Sequence, residues 1–282
     1  MATTDIIHVV GDIRCSKHAI AFLGGATDDY VQINAAGAGH LAAVYTSGTW
    51  IAWVMPEDKT QTGTIITFGD NNVVEFIELN VEAGLLVARC TDNTTVQWVL
   101  NSDAVVCPPH IWTRVALVHD GVRPWLYVNG VKIAQTMSTA TTPASWVAAL
   151  AGIDSGRIGA ANKAGDATIT QEYGGGIGEV KLYGGLTTVG ALTDKQIMDD
   201  FKRRNITTGI AATLYNHWDW EDDLTDAGTG NDPASLSGDC VMSHGYCEFE
   251  SKFRIAGFVT ADYPVIAITK EGEAHCIVIK AA

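Results

Sequence analysis

Between Trp112 and Val131 the chain reads as two runs of alternating apolar residues broken by turn residues. Thr113 to His119 leads into Asp120-Gly121, and Trp125 to Val128 leads into Asn129-Gly130. Alternation with period two places every second side chain on one face of a strand. Asp-Gly and Asn-Gly accept the positive backbone angles that tight hairpin turns demand. This stretch therefore dictates an antiparallel meander.

The same signature recurs along the chain. Ala19 to Leu23, Tyr30 to Ile33, Thr49 to Pro56, Gly63 to Phe68, Val73 to Leu79, Leu85 to Cys90 and Val96 to Leu100 read as strands, parted by Asp70-Asn71-Asn72 and Glu82-Ala83-Gly84. Adjacent prolines at Pro108-Pro109 close the last of these, since proline lacks the donor that a ladder needs. Residues 135–156, rich in Thr, Ala and Ser, read as a surface excursion. Arg157 to Ala160 and Gly174 to Tyr183 resume strand character. A single helix is expected over 193–204, where Thr193 and Gln196 form a capping box ahead of the apolar face Ile197, Met198 and Phe201. Short strands at regular spacing with Gly, Asn and Asp between them predict an all-β antiparallel sandwich with one short α-helix.

Several of these segments resemble the laminin-G-like, concanavalin A-type lectin/glucanase family. Gly25-x-x-Asp28-Asp29-Tyr30-Val31 is similar to its opening turn and Thr49 to Pro56 to its long core strand. Trp112 to Val131 is similar to its central hairpin, and Gly174 to Tyr183, carrying Glu179, to a late core strand followed by a short helix. The resemblance spans roughly residues 19–250 and implies a concanavalin A-like jelly roll with terminal strand extensions. Tyr215 to Asp232, with Trp218 and Trp220, is similar to the motif that usually opens such a domain, so the motif order is read as permuted. On this division residues 1–18 form an amino-terminal arm or strand, 19–250 the sandwich, and 251–282 an apolar hairpin. Val265, Ile266 and Ile268 on one strand of that hairpin and Ile277, Val278 and Ile279 on the other are candidate assembly residues, because an apolar edge invites pairing with another chain.

Composition narrows the partners. A net charge of −14 leaves no basic stripe for nucleic acid or for an anionic membrane. Six cysteines without CxxC spacing are expected as small buried residues. The residues Met1 to Asp5 carry neither the basic patch nor the apolar stretch of a signal peptide, so export by that route is not expected. The resemblance allows calcium in loops supplying Asp and Asn oxygens. Asp28 and Asp29, and Asp70 with Asn71 and Asn72, are the candidate ligands, and the competing account is that they cap turns.

Hydrolysis of glycans on such a fold needs two carboxylates across a groove, carried as Glu-x-Asp-x-Glu on one strand. Glu75 and Glu78 have odd spacing, and Asp219 with Glu221 leads into a turn-rich loop, so a non-catalytic chain is expected. Sugar binding would use an aromatic ring stacked on a pyranose, and Trp146, Trp98 and Trp125 are the candidates, with Trp146 foremost as an exposed residue. The leading expectation is a structural component of a virus particle, a phage capsid decoration or tail-associated protein. It would contact other virion subunits or itself, bind cell-surface glycans, and be made in the host cytoplasm without a signal peptide. The alternative is a stand-alone extracellular lectin.

Overall fold

The computed structural model describes residues 18–23, 29–33, 46–150, 152–161, 163, 170–184, 190–202, 213–220, 224–228, 232, 234–244, 265–268 and 276–279. The chain divides into two compact units, Ser16–Tyr246 and a second made of Met1–Cys15 with Cys247–Ala282.

In the larger unit, strands β1 (His18–Leu23), β2 (Tyr30–Ile33), β3 (Gly48–Pro56), β4 (Thr62–Gly69), β5 (Phe76–Glu82), β6 (Leu85–Asp92), β7 (Thr95–Ser102), β8 (Thr113–His119) and β9 (Pro124–Val128) come first. They are followed by β10 (Val131–Lys132), β11 (Gln135–Ala140), β12 (Ser155–Ile158), β13 (Gly174–Gly184), helix α1 (Asp194–Phe201), β14 (Thr213–Trp218), β15 (Ala234–Ser237) and β16 (Val241–His244). Two antiparallel sheets result. The first runs β10-β9-β8-β3-β13-β1-β16, with β14 also paired to β13, and the second β11-β7-β6-β5-β4-β12-β2-β15. The inward faces share one apolar core, in which Trp50 of the first sheet meets Phe68 of the second at 5.4 Å between rings.

The expected turns form as their chemistry requires. Asn129 and Gly130 both take positive φ, 49° and 83°, and close β9 onto β10. Asp120 accepts from the amides of Val122 and Arg123, 2.8 Å each, and so builds the β8–β9 loop. The segment carrying Trp218 joins the first sheet through β14 against β13.

Two expectations are corrected. The stretch 135–156 is not one excursion: Gln135–Ala140 is an edge strand on β7, and Ser155–Ile158 is an interior strand between β4 and β2. On β11 alternate residues are exposed, so a strand of Thr, Ser and Gln lacks the apolar alternation that marks most strands. Strand β5 starts at Phe76 rather than Val73, because residues 71–74 bend and Asp70 accepts from the Asn72 amide at 2.6 Å.

Helix α1 covers the outer face of the first sheet. Its capping box is complete, with the Thr193 amide donating to Gln196 Oε1 at 2.8 Å and the Gln196 amide donating to Thr193 Oγ1 at 3.3 Å. Ile197 packs with Ile51, Val118, Tyr127 and Tyr183, and a β-carbon on Gly130 would meet Met198 and Phe201. No helix among the described residues is long and apolar enough to cross a membrane. In the smaller unit, β17 (Val265–Ile268) and β18 (Cys276–Ile279) pair as a two-stranded sheet.

Candidate functional site

The outer face of the second sheet is the one the described residues leave polar. In β5, Ile77, Leu79 and Val81 enter the core, so alternation turns Glu78, Asn80 and Glu82 outward. The same parity puts Arg89 of β6, Thr67 of β4, Arg157 of β12 and Gln32 of β2 on that face. Pairing then aligns one row across six strands: Ser235, Gln32, Arg157, Thr67, Glu78 and Arg89.

This face is polar and largely buried. Glu78, Asn80 and Thr67 are wholly inaccessible, and Arg157 is 6% exposed. Lys163 and Gln171, next to the bridged pair Ala161 and Thr170, supply part of the cover. Lys163 Nζ reaches Glu78 Oε1 at 3.1 Å, while Gln171 Oε1 accepts from Asn80 Nδ2 at 3.5 Å. Arg89 donates to Glu78 Oε1 at 3.0 Å and grips both oxygens of Glu82, the Nη2–Oε2 bond being 2.7 Å. Burial alone would raise the Glu82 pKa, but Arg89 holds it below the ordinary value.

Three atoms on this face have no hydrogen-bond partner: Glu78 Oε2, Asn80 Oδ1 and Arg157 Nε. Buried polar atoms are nearly always paired, and each orphan costs about 1–3 kcal/mol. Two acceptors and one donor on one sheet face suit a ligand dense in hydroxyls. At the β2 side the half-buried Tyr30 ring lies under the Arg157 guanidinium at 4.7 Å. None of these residues was singled out from the sequence as a sugar contact. The legible signal was the alternation Ile77-Glu78-Leu79-Asn80-Val81-Glu82, a strand with one apolar and one polar face.

The structure places the sequence candidates elsewhere. Trp98 and Trp146 are corrections: both belong to the apolar core between the sheets rather than to an outer face. Trp98 Nε1 donates to the Ser145 carbonyl at 2.7 Å, and Trp146 packs on Trp50 at 5.1 Å, so they plug the space beneath the loop after β11. That loop is a lid whose apolar residues, Trp146 with Val147, Leu150 and Ile153, point inward. Trp125 is half-buried on the first sheet, donates to Asp120 Oδ2 at 2.9 Å, and carries Arg123 and Lys132 over its ring at 4.0 and 4.2 Å. A sugar stacking there would have to displace a cation.

Among the calcium candidates, Asp28 lies outside the described residues. Asp29 accepts from the Asp239 amide at 2.7 Å, and Asp70 caps its own turn at the Asn72 amide. The Asn71 amide donates to Asp154 Oδ1 at 2.8 Å. Among the described residues no three His, Cys, Asp or Glu side chains are grouped to hold a metal. Of the assembly candidates, Val265, Ile266 and Ile268 pair with Ile279, Val278 and Cys276, and Ile277 with Ala267.

The remaining dense charge cluster has a structural task. Asp200 of α1 receives Arg114 Nε and Nη2 at 3.1 and 2.7 Å and Lys181 at 3.0 Å, and Glu179 joins Arg114, Lys181 and His217 at 2.8–2.9 Å. Burial opposes ionisation of Asp200 and Glu179, yet the neighbouring cations keep both below the usual carboxylate range. These ions fix the helix to the sheet.

The fold and this polar face define a lectin-like sandwich. A family model described as the concanavalin A-like lectin/glucanases superfamily matches residues 24–197, and the chain belongs to that superfamily. No curated protein matches the sequence. Among solved structures, the CBM40 of the Ruminococcus gnavus IT-sialidase bound to α2,3 sialyllactose aligns with a TM-score of 0.50 at 16% identity, covering 64% of this chain and 97% of that one. The heptameric SAP-like pentraxin of Limulus polyphemus gives 0.53 at 13% identity, covering 83% and 97%. A Bacteroides ovatus protein assigned provisionally to carbohydrate binding gives 0.53 at 16%, covering 81% and 60%. At these identities the likeness is one of fold.

Proposed function

We propose that the chain is a non-catalytic carbohydrate-binding protein whose site is the outer face of the second sheet. The observation that carries this reading is the trio of partnerless buried atoms, Glu78 Oε2, Asn80 Oδ1 and Arg157 Nε, on a polar sheet face. Sugar hydroxyls both donate and accept, so a glycan that displaces the Lys163 and Gln171 contacts would meet acceptors and donor alike. The fold neighbours, two of them named for sugars, support the same reading. Binding rather than hydrolysis is favoured because Glu78 is held by Arg89 and Lys163, while Glu75 accepts from the Gly152 amide at 2.7 Å. A glycan array tests the proposal. Saturable binding to a defined glycan, lost in Asn80→Ala with the melting transition retained, is expected, and a blank array would overturn it.

A second reading, assembly at a virion surface, rests on β17 and β18, whose residues are Val, Ile, Ala and Cys alone. Strands of that kind add readily to a neighbouring sheet edge. On this reading sedimentation shows oligomers that dissociate when 247–282 are deleted, and a monomeric full chain would reject it.

A further inference from the structure

The three cations on or over the polar face are not equivalent. Arg89 is held by Glu82 and Glu78, and Lys163 is bound to Glu78. Among the described residues no carboxylate pairs with Arg157. Its contacts are Nη1 to the Ala161 carbonyl at a long 3.4 Å and its guanidinium over the Tyr30 ring at 4.7 Å, and its Nε has no partner. A charged side chain 6% exposed is almost always paired, because burying an uncompensated charge is costly. Burial draws its pKa down, with only the Tyr30 ring offsetting this.

The surroundings favour one kind of counter-group. Gln32, directly across the pairing from Arg157, turns its amide nitrogen to the Gly156 and Ile33 carbonyls at 3.0 and 2.8 Å. That leaves the planar guanidinium as the principal donor there. Ser235 next along the row is exposed and Tyr30 is half-buried, so the row opens toward solvent at this side. A guanidinium fork matches the two oxygens of a carboxylate in one plane.

We infer that Arg157 receives a carboxylate of the bound glycan, so that the ligand class is acidic sugars, uronic or sialic. The inference rests on the glycan-binding reading and narrows it. The chain is strongly acidic, and without such a fork it would repel an anionic sugar.

Isothermal titration with two matched pairs tests it: hexagalacturonate against its methyl ester, and α2,3-sialyllactose against lactose. The acidic member of at least one pair is expected to bind about tenfold or more tightly than its neutral partner, the difference a charge-assisted bond supplies. Arg157→Gln is expected to remove that preference, so that the acidic and neutral members of the pair bind alike. Equal affinity within both pairs, or neutral glycans alone binding, overturns the carboxylate assignment and leaves the glycan reading standing. No binding of any glycan overturns both. Should Arg157→Gln fail to fold, the wild-type comparison decides alone.

Discussion

His119 sits at the end of β8 with its ring stacked at 4.9 Å on Trp146 and 6.3 Å from Trp98. Nε2 lies 2.9 Å from the Pro143 carbonyl and Nδ1 accepts from the Gly121 amide at 3.1 Å, which assigns the proton to Nε2 in a neutral ring. Burial lowers its pKa below 6.5, with the Pro143 bond opposing. A folded value below the unfolded one means that the unfolded chain binds the extra proton first. Stability should therefore be full above about pH 6.5 and fall as pH drops below it. Urea midpoints at pH 7.5 and 5.5 check this; a midpoint independent of pH in that range would contradict it. For Trp146→Ala the expected cost is about 3–5 kcal/mol of stability, because a buried indole leaves a cavity. Denaturant titration reads that loss, and on this account glycan affinity of the folded fraction is unaltered. The cysteines follow the same logic: Cys90, Cys107 and Cys240 are buried, and burial pushes the Cys107 and Cys240 thiols up to about 12.

At the scale of elements, α1 is held by its cap and by ions. Thr193→Ala should cost about 1 kcal/mol. Asp200→Ala should cost about 1–3 kcal/mol, since it removes the carboxylate that Arg114 Nε and Nη2 share while Glu179 stays in contact. The helix carboxylate and Glu179 add an acid limit of their own. Their depressed values give stability that is present above the unfolded carboxylate range near pH 4 and is lost as pH falls below it. Circular dichroism of the variants at pH 7 and pH 3.5 checks both statements. Most elements were legible in the chain because local chemistry and tertiary demand agree, as at Asn129-Gly130 and at Thr193 to Gln196. Strand β11 was not. Its Thr-Met-Ser-Thr sequence has weak apolar alternation, and its place is set by pairing with β7 rather than by its own residues. The start of β5 was missed for a related reason: Val73 and Val74 look strand-like, but the Asp70 turn bends the chain there.

Across the whole molecule, the two sheets are distinguished by what covers them. The first carries α1 and its ion cluster on its outer face, and the second presents a polar row with orphaned atoms. That row could not be read along the chain, since Gln32, Arg157, Thr67, Glu78 and Arg89 come from five strands and meet only through register. Trp146 misled for the opposite reason, a conspicuous residue in a polar stretch that turns inward. The superfamily was visible in the motifs; the proposed binding face was not. The most direct measurement is a crystal structure grown with the glycan that the array selects. The account predicts sugar density over Asn80, Glu78 and Arg157, with hydrogen bonds to Glu78 Oε2 and Asn80 Oδ1. Density elsewhere, for example over Trp125 on the first sheet, would contradict it.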